Sequence, residues 1–293
     1  MSAALARASD YFELCKPRII YLLLITTVAA MVMAARGIPP AALVFWTLLG
    51  GALAAASAGA FNCVWDADID AVMTRTSMRP IPRGRISKRA ATAFAVTLGV
   101  ASFAILYGLV NPLAAWLSLA GNVYYVGVYT MWLKRVTPLN IVIGGAAGAV
   151  PPLVGWAAVT HAVGGPALGL FALIFLWTPP HFWALSLMTE TDYAKAKVPM
   201  FPNVYGDRRT KREILYYSII LVAASLALYP LHVMGALYFG AAAVLGGIFL
   251  LEAFRTLRDR NGSKLYPRKL FRFSLVYLAL MCAVMVLDRI LFA

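Results

Sequence analysis

Between residues 90 and 133 this chain runs for 44 positions without an Asp, Glu, Lys or Arg, and between residues 136 and 189 it does so for 54. About 20 apolar residues cross the hydrocarbon core of a bilayer, so each run is long enough to cross twice. An Asn111-Pro112 step divides the first run, and the turn HAVGGP at residues 161–166 divides the second. Further spans fall at residues 19–35 and 37–65, as a pair within 214–251 parted at Tyr229-Pro230, and from about 273 to 291. The predicted fold is all-α: a polytopic membrane bundle of nine transmembrane helices around a central cavity. Residues 1–18 read as an N-terminal arm and 19–293 as one intramembrane domain.

Composition agrees, with 62% hydrophobic and 13% charged residues, far from the soluble globular range. A net charge of +14 would point to nucleic acid in a soluble protein. Here the charges are placed differently. Threading nine spans puts 24 of the 26 Lys and Arg on one side, leaving Arg36 and Arg289 on the other. By the positive-inside rule the basic side is cytoplasmic, which explains the charge without nucleic acid. The first span has the basic flank of a secretory signal, but eight later spans favour a retained helix, and MSAALARASDYFELCKPR carries Asp10 and Glu13, unlike an import presequence. Cys15, Cys63 and Cys282 have neither pairing nor metal-ligand spacing and read as free thiols.

The second span ends in NCVWDADIDAVMTRTSMRPIPRGR, where Asn62, Asp66 and Asp70 recur every fourth residue. Such spacing lays three side chains along one helical stripe, with a rise of about 6 Å per step. Asp68, about 160° away around the helix, points elsewhere. Acids at a helix C-terminus oppose the macrodipole, and at bilayer depth each costs roughly 2.5–3.5 kcal/mol on insertion scales. Solvated interfacial acids are the bland explanation. A hard divalent cation such as Mg²⁺ is the functional one, since it binds carboxylate and amide oxygens and completes its octahedron with water and phosphate. Arg75, Arg79, Arg83 and Arg85 follow, with planar forks suited to phosphate oxygens. Acids for metal and arginines for phosphate together suit a diphosphate.

A second cluster of Glu190, Asp192, Lys195 and Lys197 closes the sixth span on the same side. Asp192 with Lys195 is also an ordinary i, i+3 ion pair. Lys134 and Arg135, preceded by Tyr124, Tyr125 and Tyr129, serve equally as phosphate contacts or as a positive-inside anchor with interfacial tyrosines. Pro151-Pro152 and Pro179-Pro180 read as helix breaks, which at membrane depth border protein or a cavity. His181, in WTPPHFW, lies 11 residues before Asp192, about 16 Å deeper on a regular helix. A core histidine bonded to a freed carbonyl and an acceptor or ligand contact both remain open for it.

The series Asn62-x3-Asp66-x3-Asp70-x2-Met73-x-Arg75-Thr76-x2-Arg79-Pro80 resembles the signature of the UbiA-type intramembrane prenyltransferases. Within that family, YTMWLKRVTPLNIVIGGAAGAVPPLVGW, WTPPHFWAL and DYAKAKVPMFPNVYG are similar to the haem-farnesylating branch. This resemblance implies that Asn62, Asp66 and Asp70 hold the Mg²⁺-bound diphosphate of a prenyl donor, with Arg75 and Arg79 assisting. It makes Asp192 the start of a second metal-binding acidic motif. Where many relatives carry another acid four residues later this chain has Ala196, so Lys195 and Lys197 become candidates for phosphate neutralisation. Lys134 and Arg135 join the diphosphate set and His181 becomes a haem contact.

The implied reaction joins farnesyl diphosphate to a vinyl group of protohaem IX with addition of water, giving haem O and diphosphate. Phe61, Trp65, Tyr125 and Trp183 are candidates to face the allylic cation, although packing explains most aromatics of this kind. The resemblance also implies residence in a bacterial inner (plasma) membrane with both acidic motifs cytoplasmic, and a downstream haem-modifying enzyme as partner. The same fold acting on a quinone or chlorophyllide precursor is the nearest alternative. A transporter is disfavoured because nearly all the charges lie at one face rather than across the bilayer.

Overall fold

The computed structural model describes residues 3–259 and 263–292. Arg260, one of the basic residues assigned to the last cytoplasmic loop, lies outside them. Among the described residues there is no strand. The elements in chain order are α1 (Ala3–Leu14), α2 (Pro17–Ala35), α3 (Ala41–Trp65), α4 (Ala67–Val72), α5 (Lys88–Leu109), α6 (Pro112–Val123), a π-helix (Tyr124–Leu133), α7 (Lys134–Val136), α8 (Asn140–Gly144) and α9 (Ala146–Thr160). There follow α10 (Gly165–Met188), α11 (Glu190–Lys195), α12 (Phe201–Tyr205), α13 (Asp207–Ala227), α14 (Ala236–Arg258) and α15 (Leu265–Leu291).

Seven helical stretches are individually long and apolar enough to cross a membrane: α2, α3, α5, α8–α9, α10, α14 and α15. The other two expected spans are helical as well. One is the run from α6 through the π-helix to α7, whose hydrogen-bond register changes partway. The other is α13, which opens with DRRTKRE and so begins among charges before turning apolar. Each long run packs on the next, and α15 returns to α2, closing a ring; α2 against α9 and α10 against α15 tie its halves across the middle.

The sequence breaks fall where local chemistry places them. Asn111 caps α6 by accepting a hydrogen bond from the Ala114 amide at 2.9 Å, with Pro112 in the first turn, where a missing N–H is harmless. Its amide also donates to Ala157 O at 2.9 Å, pinning the α5–α6 turn to the end of α9. His161 ends α9 in the left-handed region, and Gly164 leads into α10.

The proline pairs depart from expectation. Both α9 and α10 run unbroken through Pro151-Pro152 and Pro179-Pro180. Thr27 Oγ1 on α2 lies 3.5 Å from Pro151 O, so the two helices touch at the first proline pair. Close approach of α2 and α9 depends on Gly155, where an added Cβ would sit 2.4 Å from Thr27 O.

The arm expected at residues 1–18 docks against the body through its described part, around residues 10–16. Leu14 is fully buried in an apolar cluster with Ala60, Cys63, Ala67, Ile81 and Ala91. Asp10 and Glu13 reach Arg85 at 2.5 and 3.5 Å. Gly59 gives the arm room, because a Cβ there would meet the Leu14 and Cys15 carbonyl oxygens at 3.2 Å. A cavity of about 330 Å³, lined by residues such as His232, Asp288 and Arg289, lies at the opposite end of the bundle from the acidic segments.

Candidate active site

The acidic stripe survives a change of helix. α3 stops at Trp65 and Asp66 leaves α-helical geometry (φ −86°, ψ 10°), yet Asp66 N donates to Asn62 O at 2.9 Å and Asp70 N to Asp66 O at 2.7 Å. The four-residue spacing therefore carries into α4, and Asn62, Asp66 and Asp70 are buried together at 4%, 1% and 2% exposure. They face neither lipid nor bulk water. Asp68 points away, with its side chain 61% exposed.

Each buried acid has a cation. Lys134 Nζ lies 2.5 Å from Asp66 Oδ2, and Arg79 Nη1 lies 2.6 Å from Asp70 Oδ2. Asn62 Nδ2 donates to Asp66 Oδ2 at 2.8 Å and to Thr130 Oγ1 at 3.1 Å, while Asn62 Oδ1 accepts from Lys16 Nζ. Arg135 grips Asp68 through two bonds of 2.8 Å, donates to Trp65 O, and stands 3.9 Å from Asp66 Oδ1. The Arg135 hydrogen bonds hold the Asp68 carboxyl down at about 2. Burial pushes the Lys16 ammonium below its ordinary value.

The π-helix sets this geometry. Thr130 lies within it, and Lys134 and Arg135 follow directly after its last residue, Leu133. Thr130 meets Asn62, and Arg135 meets Trp65 and Asp68, so this stretch lies along the end of α3 and α4. Lys134 arrives beside them.

Asp192 joins the two acidic segments in another way. Its carboxylate accepts from the backbone amides of Thr74 and Arg75, each at 3.3 Å, bracing the arginine-bearing loop after α4. Desolvation works against this carboxylate, but the Thr74 and Arg75 bonds prevail and keep its pKa below the ordinary value. Ile69, Met73, Ile141, Val198 and Met200 form an apolar cluster beneath, with Ala196 packed on it, so the position that lacks the second acid is one where a carboxylate would face apolar neighbours.

Of the remaining candidates, the Arg75 side chain, Lys195 and Lys197 are exposed and make no ion pair to Asp66 or Asp70 among the described residues. Nor do three acidic, histidine or cysteine side chains meet there closely enough to chelate one ion. The compact oxygen set is the amide of Asn62 with the carboxylates of Asp66 and Asp70. One atom in it is uncommitted, since the buried Asp66 Oδ1 accepts no hydrogen bond. A hard cation fits such an oxygen.

His181 is buried at 7% exposure between the rings of Trp177 and Phe271, at centroid distances of 4.2 and 4.7 Å. Its Nδ1 lies 2.6 Å from Ser274 Oγ, which itself lies 2.7 Å from Phe271 O. A hydroxyl has one proton; donating it to the carbonyl leaves Ser274 to accept from Nδ1–H, so the second ring nitrogen keeps its lone pair. Among the aromatic candidates, Trp65 is 44% exposed and turned outward, while Trp183 is buried against Phe201 and Tyr217.

Sequence reasoning missed Lys16, Thr130 and Ser274. For Lys16 the available signal was a Lys-Pro step at the mouth of the first span. Thr130 and Ser274 are small hydroxyl residues in apolar runs and carry no local signal.

A ring of helices, seven of them long and apolar enough to cross a membrane, thus carries a buried cluster of acids and cations at one end. The model of the UbiA prenyltransferase family matches residues 23–276, and the chain belongs to that family and is a prenyltransferase. It is 53% identical to the protoheme IX farnesyltransferase of Synechocystis sp. over 97% of this chain and 90% of that one. Identity to the protein of that name from Gloeobacter violaceus is 54%, over 99% and 94%. Among solved structures, a digeranylgeranylglyceryl phosphate synthase superposes with a TM-score of 0.80 at 18% identity, covering 97% of this chain and 99% of that one. A UbiA homologue from Archaeoglobus fulgidus bound to DMAPP and Mg²⁺ superposes with a TM-score of 0.67 at 19% identity, covering 94% and 99%. At these identities the structures share the fold.

Proposed function

We propose that this prenyltransferase transfers a farnesyl group from farnesyl diphosphate to a vinyl group of protohaem IX, with addition of water, to give haem O and diphosphate. The observation that carries the site is the buried Asn62–Asp66–Asp70 stripe counter-charged by Lys134 and Arg79. The acceptor rests on relatives above 50% identity that bear the name protoheme IX farnesyltransferase.

In this reading Asn62, Asp66 and Asp70 would hold Mg²⁺, with Asp192 serving the site through the loop it braces. When bound, the metal supplies Lewis-acid stabilisation of charge on the leaving diphosphate. Arg79 and Lys134 lie close enough to turn from the acids to phosphate oxygens, and Arg75, Arg135, Lys195 and Lys197 would assist as further phosphate contacts. As the allylic C–O bond breaks, its electron pair leaves with diphosphate, and these cations act most strongly on the stretched bond. The allylic carbon then bonds to the vinyl terminus; water adds at the neighbouring carbon and loses a proton. His181, clamped between two rings with one nitrogen bare, is suited to contact the haem.

In the same reading the basic loops, by the positive-inside rule, would turn the site toward the cytoplasm of a bacterial inner membrane, and a downstream haem-modifying enzyme would collect the product. The test uses purified protein, labelled farnesyl diphosphate, Mg²⁺ and haem, comparing wild type with Asp66→Ala and Asp70→Ala. Loss of transfer in both supports the site. Full turnover in both would remove it, and transfer only to a phenolic acceptor would replace haem with a quinone precursor.

A further inference from the structure

The geometry points to Lys16 as a ligand of the donor's diphosphate, carried into the site by the N-terminal arm. This rests on the reading of Asn62, Asp66 and Asp70 as the diphosphate site and extends it to a segment outside the family match at residues 23–276. The argument begins with a count of charges. Three cations, Lys16, Arg79 and Lys134, face two carboxylates, Asp66 and Asp70. Arg79 and Lys134 each take one carboxylate, whereas Arg135 takes Asp68. Lys16 is left on the neutral amide oxygen of Asn62, a side chain 4% exposed. An ammonium brought out of water against an amide dipole lacks the opposite charge that would offset its desolvation. The cluster therefore carries one surplus positive charge, and an anion entering it relieves that surplus.

The backbone presents Lys16 deliberately. Its φ of 54° is left-handed, a conformation non-glycine residues rarely take, and Pro17 follows as the first residue of α2. On the other side, Leu14 is sealed in the apolar cluster, Gly59 lets the arm's carbonyls pass, and Arg85 holds Asp10 and Glu13. A turn fixed at both ends aims one ammonium at the stripe. Arg85 thus acts as a positioning residue for Lys16.

The test uses Lys16→Gln, which can still donate to Asn62 without a charge, and Lys16→Arg, which restores the charge. With Mg²⁺, inorganic pyrophosphate binding is measured by calorimetry alongside KM for farnesyl diphosphate, after confirming monodisperse elution and an unchanged spectrum with added haem. The expectation is a loss of at least tenfold in pyrophosphate affinity and a matching rise in KM for Lys16→Gln, with Lys16→Arg within about threefold of wild type. Arg85→Gln should show a smaller loss in the same direction. If Lys16→Gln binds pyrophosphate like wild type while Asp66→Ala and Asp70→Ala do not, the role of Lys16 is overturned alone. If all of them bind like wild type, the diphosphate site falls with it. Should Lys16→Gln fail to fold, Lys16→Met and Arg85→Gln are read by the same two criteria.

Discussion

Replacing Asp66 by Asn removes a carboxylate that is 1% exposed and strands the Lys134 ammonium, 12% exposed, beside an amide. Breaking a buried pair from one side costs about 3–5 kcal/mol, because an uncompensated charge stays inside. Lys134 keeps a sliver of exposure, so the lower end applies, about 3 kcal/mol. At roughly 2–4 °C per kcal/mol for a chain of this order, Tm should fall by about 10 °C. The reverse deletion should be milder. Lys134→Met leaves Asp66 with Arg135 at 3.9 Å and with Lys16 in the same pocket, and it lowers the surplus of positive charge, so a loss of about 1–2 kcal/mol is expected. Combining Asp66→Asn with Lys134→Met removes both charges and should recover stability to within about 1 kcal/mol of wild type, while prenyl transfer stays lost. Intrinsic fluorescence from the seven tryptophans reports unfolding in detergent. The reasoning fails if Asp66→Asn melts with the wild type, or if the double variant is no more stable than Asp66→Asn.

Further outcomes come from other parts of the molecule. Gly155→Ala would drive a Cβ to 2.4 Å from Thr27 O, a backbone atom that cannot swing away, so α2 and α9 must part at a cost of about 1–3 kcal/mol, read as a lower Tm. Ser274→Ala removes the acceptor that fixes the His181 ring, which should change the Soret band of added haem as His181→Ala does; Ser274→Thr should restore it. If His181→Ala itself leaves the band unchanged, the histidine is a packing residue. Asp68 has its folded pKa depressed to about 2 from 3.8, so the stability it lends is present above pH 4 and is lost as pH falls through 2. The exposed pair with Arg135 is worth at most about 1 kcal/mol, and the small Tm gap between wild type and Asp68→Asn should close over that interval.

The fold was legible because membrane burial writes itself along the chain. Runs without charge, and the breaks at Asn111-Pro112, His161–Pro166 and Tyr229-Pro230, are local features, and each one falls at a turn of the structure. The acidic stripe was legible for the same reason: four-residue spacing survives as long as backbone bonds keep their register, even across the kink at Asp66. What stayed hidden depends on encounters at long range. Lys16 meets Asn62 across 46 residues, and His181 meets Ser274 across 93; no periodicity within one helix encodes either. The π-helix was hidden differently. Nothing in YYVGVYTMWL distinguishes i→i+5 from i→i+4 bonding, yet that register sets how Thr130 is turned relative to Lys134 and Arg135, which follow it. The proline pairs misled because two adjacent prolines were read as a break, whereas α9 and α10 continue through them in a largely enclosed setting.

A cluster that neutralises its own acids with lysine and arginine looks at first like a poor receptor for a metal diphosphate, since the ligands are already occupied. The opposite follows from the charges. Two carboxylates alone, buried at 1% and 2%, would repel one another and resist ionisation, and cations alone would resist burial. Held together, each keeps the other charged and in place. When a divalent cation arrives for the acids and a diphosphate for the lysines and arginine, the exchange substitutes one set of close ion pairs for another without carrying a bare charge through a low-dielectric interior. Asp66 Oδ1, which accepts no hydrogen bond, and the ammonium of Lys16, which faces an amide, are the two places where that exchange is incomplete beforehand. On the proposed reading substrate binding would satisfy both at once, so affinity for the metal and affinity for the diphosphate should each rise in the presence of the other.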